Sequence, residues 1–173
     1  MIRKGAYNFV SIEQLPGWNA VLGLQFESLV CNNLALLLKV LNLDRTLLLS
    51  ASPYRQGETT RASGCQIDLL LQTRHTIYLI EIKRREQIGE DVVAEVQEKV
   101  HRLKVRRGMS VIPVLVYEGR LSKRIAADGY FANIICRTPF GIRNLRVKSA
   151  GILSIRVKIS GSIRFRWHSI EAD

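Results

Sequence analysis

Two apolar runs of strand length, 65–72 and 76–84, follow one another across the three-residue spacer Thr73-Arg74-His75. Each has ionisable residues embedded in it: Asp68 in the first, Glu81 and Lys83 in the second. A spacer this short predicts an antiparallel hairpin. Charges set among such neighbours are costly to bury unless they meet one another or a cation. The period of two puts Glu81 and Lys83 on one face, about 7 Å apart along the strand, with Ile80 and Ile82 on the other. Hairpin pairing allows Asp68 to lie beside Glu81 on that face. Two carboxylates, water and the peptide carbonyl of Ile82 make an all-oxygen site suited to Mg2+ or Mn2+.

The elements around this hairpin follow from periodicity. Trp18, Leu22, Phe26, Leu29, Val30, Leu37 and Leu41 recur at helical spacing and predict one helix over 18–41, begun by Pro16-Gly17 and ended by 42–44. Glu27 on that helix has Gly23, Leu24, Val30 and Cys31 as its three- and four-residue neighbours, so it leaves a packing face rather than a solvent face. A carboxylate there wants a metal, a lysine or a displaced pKa. Residues 47–54 read as a strand and 55–63 as a polar loop. Val92, Val96, Val100 and Leu103 predict a second helix over 89–107, with Glu95, Glu98, Lys99, Arg102 and Arg106 facing away. The apolar run 111–117 suits a central strand buried on both faces, and 134–136 a further short one. The order helix, three strands, helix, strand predicts an α/β fold with a mixed central sheet and flanking helices.

The tail differs in texture. Alternation along 152–159 and again along 163–167, with Ser160-Gly161 between, predicts a hairpin with one apolar and one basic face, the latter including Arg156, Lys158, Arg164 and Arg166. Of the net charge of +11, residues 142–173 supply +5, from seven basic and two acidic residues. Such a field attracts polyanions, so nucleic acid is the expected partner, and DNA the first choice. A chain of 173 residues has room for one domain. We divide it into a body, 1–141, and the basic hairpin, 142–173, as an extension of the same domain. No apolar stretch reaches the length of a membrane span, no secretory signal is visible, and three widely spaced cysteines suit a reduced cytoplasmic protein.

Taken together, Gly23-Leu24-Gln25-Phe26-Glu27, Gly64-Cys65-Gln66-Ile67-Asp68-Leu69-Leu70 and Glu81-Ile82-Lys83 resemble the PD-(D/E)XK nuclease superfamily. More narrowly, they resemble the nuclease-like domain at the C-terminus of archaeal-type AAA ATPases, over about residues 15–138. The resemblance implies a restriction-endonuclease-like αβββαβ core and a metal-dependent endodeoxyribonuclease. It implies Mg2+ or Mn2+ held by Asp68, Glu81 and Glu27, with Lys83 assisting the attacking water or the scissile phosphate. Lys99 falls where such domains often place a basic or amide residue near the site. Ile67 stands where the superfamily name has proline. No GxxxxGK[ST] motif exists in the chain, so the ATPase module is absent from it, and an ATPase or another protein is a candidate partner.

Arg84, Arg85, Arg102, Arg106 and Arg107 flank the expected site and would serve as phosphate contacts. Cleavage of both strands of a duplex would need a dimer, with the apolar face of the tail as a candidate interface. Two other readings stand beside the nuclease. One is a nuclease-fold module that binds nucleic acid or a partner protein without cleaving. The other is a purely structural cluster of buried ion pairs.

Overall fold

The computed structural model describes residues 15–60, 63–138, 141–148 and 151–158, with side chains through residue 137. In chain order the elements are α1 (Trp18–Asn32), α2 (Leu34–Leu41), β1 (Ser50–Gln56), β2 (Cys65–Gln72), β3 (Thr76–Ile88), α3 (Asp91–Arg102), β4 (Ser110–Leu121), α4 (Lys123–Asp128), β5 (Asn133–Thr138), β6 (Gly141–Lys148) and β7 (Gly151–Lys158). The seven strands form one mixed sheet in chain order. β3 runs parallel to β4 and β4 to β5, and the other neighbours are antiparallel. The fold is α/β, as the pattern of apolar runs predicts.

Alternation along the central strands sorts their side chains into two layers. Leu69, Leu71, Ile80, Ile82, Val114, Val116 and Ile135 pack against Phe26 of α1 and Leu37, Leu38, Val40 and Leu41 of α2. On the opposite face Ile67, Leu79, Leu115 and Ile134 meet Val92 and Val96 of α3, Ile125 of α4 and Phe131. A sheet covered on both sides explains why 111–117 reads as a continuous apolar run rather than an alternating one.

The helix expected over 18–41 is broken. At Asn33 the chain leaves helical geometry (φ −105°, ψ 38°), and α1 and α2 meet at a bend of 72°. The side chain of Asn33 donates to the carbonyl of Leu29 at 2.8 Å, a local bond that competes with the helical ladder. After the bend α2 buries Leu37, Leu38, Val40 and Leu41, half of its residues. In α1 only Phe26 is fully buried, and Leu29, expected on the packing face, is exposed. No single helix among the described residues is long and apolar enough to cross a membrane.

Other boundaries also move. The strand expected from residue 47 starts at Ser50, because Arg45–Leu47 forms a 3-10 turn capped by Asp44. The second helix is shorter than 89–107, and α4, with Ile125 as its single buried residue, is too short to show a helical period in the sequence. In the tail, β7 pairs with β6, which pairs in turn with β5, so residues 141–148 and 151–158 continue the sheet. The expected partner arm, 163–167, lies outside the described residues.

Two irregularities in strand pairing frame the end of the sheet that matters. On β1 and β2, Ser52 pairs with Leu70 and Tyr54 with Ile67, so Asp68 and Leu69 together face Pro53. This is a β-bulge, and Pro53, which has no N–H to donate, is tolerated opposite it on an edge strand. On β3 and β4, Arg84 pairs with Glu118 and Gln87 with Arg120, leaving Arg85 and Glu86 opposite Gly119. Gly119 sits at φ 130°, and a Cβ there would collide with the carbonyl oxygen of Arg85.

Candidate active site

β2 and β3 bring Asp68 and Glu81 together as the hairpin predicts. The Asp68 carboxylate accepts a hydrogen bond from the Ile82 N–H at 2.8 Å. Among the described residues its other oxygen takes no hydrogen bond. Glu81, in the middle of β3, is 0 % exposed. Burial comes first among the causes that raise the pKa of both carboxyls, and at Glu81 the neighbouring Asp68 adds to it.

The charges that make this burial tolerable come from β3 and α3. Lys83 Nζ stands 2.7 Å from Glu81 Oε1. Lys99 Nζ lies 2.7 Å from each Glu81 oxygen. Glu95 closes the arrangement from above, with its Oε1 2.9 Å from Lys83 Nζ and 3.1 Å from Lys99 Nζ. Burial works against both ammonium groups, but Glu81 and Glu95 outweigh it and raise the pKa values of Lys83 and Lys99. Burial also opposes ionisation of Glu95, yet the two lysines prevail and bring its pKa down to about 2.

Glu95 is the site residue that the sequence reading misses, and it corrects the expectation that Glu95 and Lys99 face away from the core. Both stand one turn apart on the flank of the Val92–Val96 stripe, where a long side chain reaches back over the sheet. The signal is an acid and a lysine at i and i+4, directly beside the buried valines.

An open cavity of about 430 Å³ above the cluster is lined by Asp68, Lys83, Glu95, Glu98, Lys99 and Arg102, among others. Glu27 is not in it. It lines a second cavity of similar size between α1 and the β1–β2 edge, with Cys31, Tyr54, Arg55, Gln66 and Asp68. Asp68 and Gln66 border both spaces, because the bulge turns this stretch of β2 to the sheet end between α1 and α3. Glu27 reaches Asp68 electrostatically, and its charge, after burial and Asp68, helps raise the pKa of the Cys31 thiol. Cys31, half-buried on α1, holds its Sγ 4.0 Å from the Asp68 carbonyl oxygen.

The flanking arginines are mostly engaged elsewhere. Arg84 pairs with Glu118, Arg85 with Asp91, and Arg102 with Glu98. Of these three, only Arg102 lines the cavity above Glu81. Arg156 and Lys158 lie on β7, at register positions opposite Arg143 and Gly141, and Arg164 and Arg166 lie outside the described residues.

For a hard divalent ion the oxygen donors are of the right chemistry: a half-buried Asp68 carboxyl with one oxygen unbonded, Glu81 beside it, and Glu27 across the bulge. They are not assembled. Among the described residues no group of three or more His, Cys, Asp or Glu side chains is placed to hold a metal, and both Glu81 oxygens are taken by ammonium groups. The set therefore fits a metal provided that Lys99 gives up its bonds to Glu81. Comparison with protein-family models and with curated proteins finds no match to this chain.

Proposed function

We propose that the protein is a metal-dependent nuclease that hydrolyses phosphodiester bonds in DNA, of a repair, recombination or defence type, with a restriction-endonuclease-like core, acting in the cytoplasm. The observation that carries this reading is the juxtaposition of Asp68 and Glu81 with Lys83 midway along the β2–β3 hairpin, beside an open cavity. Supporting it are the αβββαβ element order, with the first helix broken, and the net charge of +11.

Asp68 and Glu81 would hold Mg2+ or Mn2+, with Glu27 adding a ligand from the neighbouring cavity. When bound, the ion supplies a Lewis acid and lowers the pKa of water. Lys83, held charged by Glu81 and Glu95, would orient the attacking water or touch a phosphate oxygen. Arg102 borders the cavity and suits a phosphate contact that positions the strand without reading its sequence. A second copy of the chain and an ATPase are the protein partners the reading suggests.

The test is hydrolysis of end-labelled duplex, branched and single-stranded DNA in Mg2+ or Mn2+, with chelator as control. Cleavage is expected for the wild-type protein, and its loss in Asp68→Asn and Lys83→Met. Metal-dependent cleavage that survives Asp68→Asn would exclude this site.

A second reading, a module that binds nucleic acid without cleaving it, is favoured by one observation: Lys99 and Lys83 already neutralise Glu81. DNA binding with no cleavage and no Mn2+ uptake would select it.

A further inference from the structure

Lys99 stands where a cation would have to be. Its Nζ lies 2.7 Å from both oxygens of Glu81, the geometry of a counter-ion chelated by one carboxylate. The same nitrogen is 3.1 Å from Glu95 Oε1, one helical turn away on α3. Its transfer from one carboxylate to the other needs only a rotamer adjustment, since it touches both already. Lys83 shares the same two acceptors, at 2.7 Å and 2.9 Å. Both ammonium groups thus have a second home that leaves Glu81 free.

On this geometry, and resting on the metal-dependent reading above, we propose that Lys99 is a positioning residue that competes with the divalent cation for Glu81, and that Glu95 is the acceptor that takes Lys99 over when the cation binds. The charge count gives the exchange a purpose. Asp68, Glu81 and Glu95 carry three negative charges against the two positive charges of Lys83 and Lys99, so the cluster is net anionic and repels a phosphodiester. A divalent ion reverses the sign. Because the lysine is retained on Glu95 rather than expelled, its charge stays beside the cavity and adds to the attraction. Metal therefore binds first and phosphate second. In the absence of metal the paired carboxylates of Asp68 and Glu81 are not left facing each other unneutralised, which would cost the fold dearly.

The experiment is a calorimetric titration of the full-length protein with Mn2+ alone, in the absence of DNA, for wild type, Lys99→Gln and Glu95→Gln, with circular dichroism to establish folding. Lys99→Gln removes the competitor and is expected to bind Mn2+ about ten-fold more tightly. Glu95→Gln removes the alternative acceptor and is expected to bind about ten-fold more weakly. Opposite signs from two neighbours on one helix are not produced by residues that merely stabilise α3. Unchanged or weaker binding in Lys99→Gln overturns the proposal while leaving the metal site standing. If that variant does not fold, Glu95→Gln decides, and unchanged or tighter binding there overturns it. No Mn2+ uptake by wild type or by Lys99→Gln overturns the metal-dependent reading itself, and this proposal with it.

Discussion

At the scale of single residues, the site is held together by charges that oppose one another. Asp68 and Glu81 are destabilised by their own burial, and Glu95 is stabilised by the lysines it receives. Removing the charge of Asp68 should therefore strengthen the fold. Asp68→Asn keeps an oxygen to accept from the Ile82 N–H and relieves the desolvation of a carboxylate. A rise in Tm of about 2–4 °C is expected, the effect of about 1 kcal/mol in a chain of this size, together with loss of cleavage. A fall in Tm on calorimetry would mean that the carboxylate is paired more strongly than its surroundings indicate. Glu95 behaves in the opposite sense. Its folded pKa of about 2 lies below the ordinary 4.5, so it contributes stability that is fully present above pH 4.5 and is lost as the pH falls toward 2. The difference in Tm between wild type and Glu95→Gln should be largest above pH 4.5 and shrink steadily across that window. The raised carboxyls of Asp68 and Glu81 shift the stability of both proteins the other way on acidification, which is why the comparison is made between the two rather than on wild type alone.

At the scale of elements, the two bulges aim the side chains. The bulge on β2 opposite Pro53 breaks the alternation that would otherwise continue from Ile67 to Leu69, and it sets Asp68 where α1 and α3 both reach it. The irregularity on β3 opposite Gly119 lies just past Lys83 and Arg84, and it depends on a backbone that L side chains rarely adopt. Gly119→Ala should cost about 1–3 kcal/mol in denaturant unfolding, from the positive φ and from collision with Arg85. A neutral effect would show that β3 can straighten. The sequence made the hairpin of β2 and β3 legible because its spacer and its apolar runs are local features. It hid the Asn33 break, since an apolar stretch reads the same whether a helix is straight or bent. It also hid Glu95, because the outer and sheet-facing flanks of α3 differ by a fraction of a turn and only the position of Glu81 and Lys83 decides between them.

For the whole molecule, charge and topology work at different ranges. The net charge of +11 gives a field that should draw DNA whatever its sequence, so affinity should fall as salt rises. Replacing Arg156 and Lys158 together by serine should lower the slope of log affinity against log salt by about one for each phosphate that the variant no longer neutralises, as measured by filter binding. An unchanged slope would exclude β7 from the proposed DNA contacts. Binding should also strengthen when Ca2+ or Mn2+ is added, because the cluster around Glu81 then changes sign. Topology keeps these contributions on one framework, as β5, β6 and β7 continue the sheet that carries the site.

The α/β class, the hairpin, the shared face of Glu81 and Lys83, and the excess of positive charge were all determined by the sequence alone, because they rest on short-range periodicity or on counting. The tertiary structure alone decided that Glu95 joins Glu81 through the two lysines, that Glu27 shares a cavity with Asp68 on the α1 side of the sheet, and that Lys99 bonds both oxygens of Glu81. Those relations join residues on separate elements, and they exist only once helices have packed on both faces of one sheet and burial has made each charge depend on its neighbours.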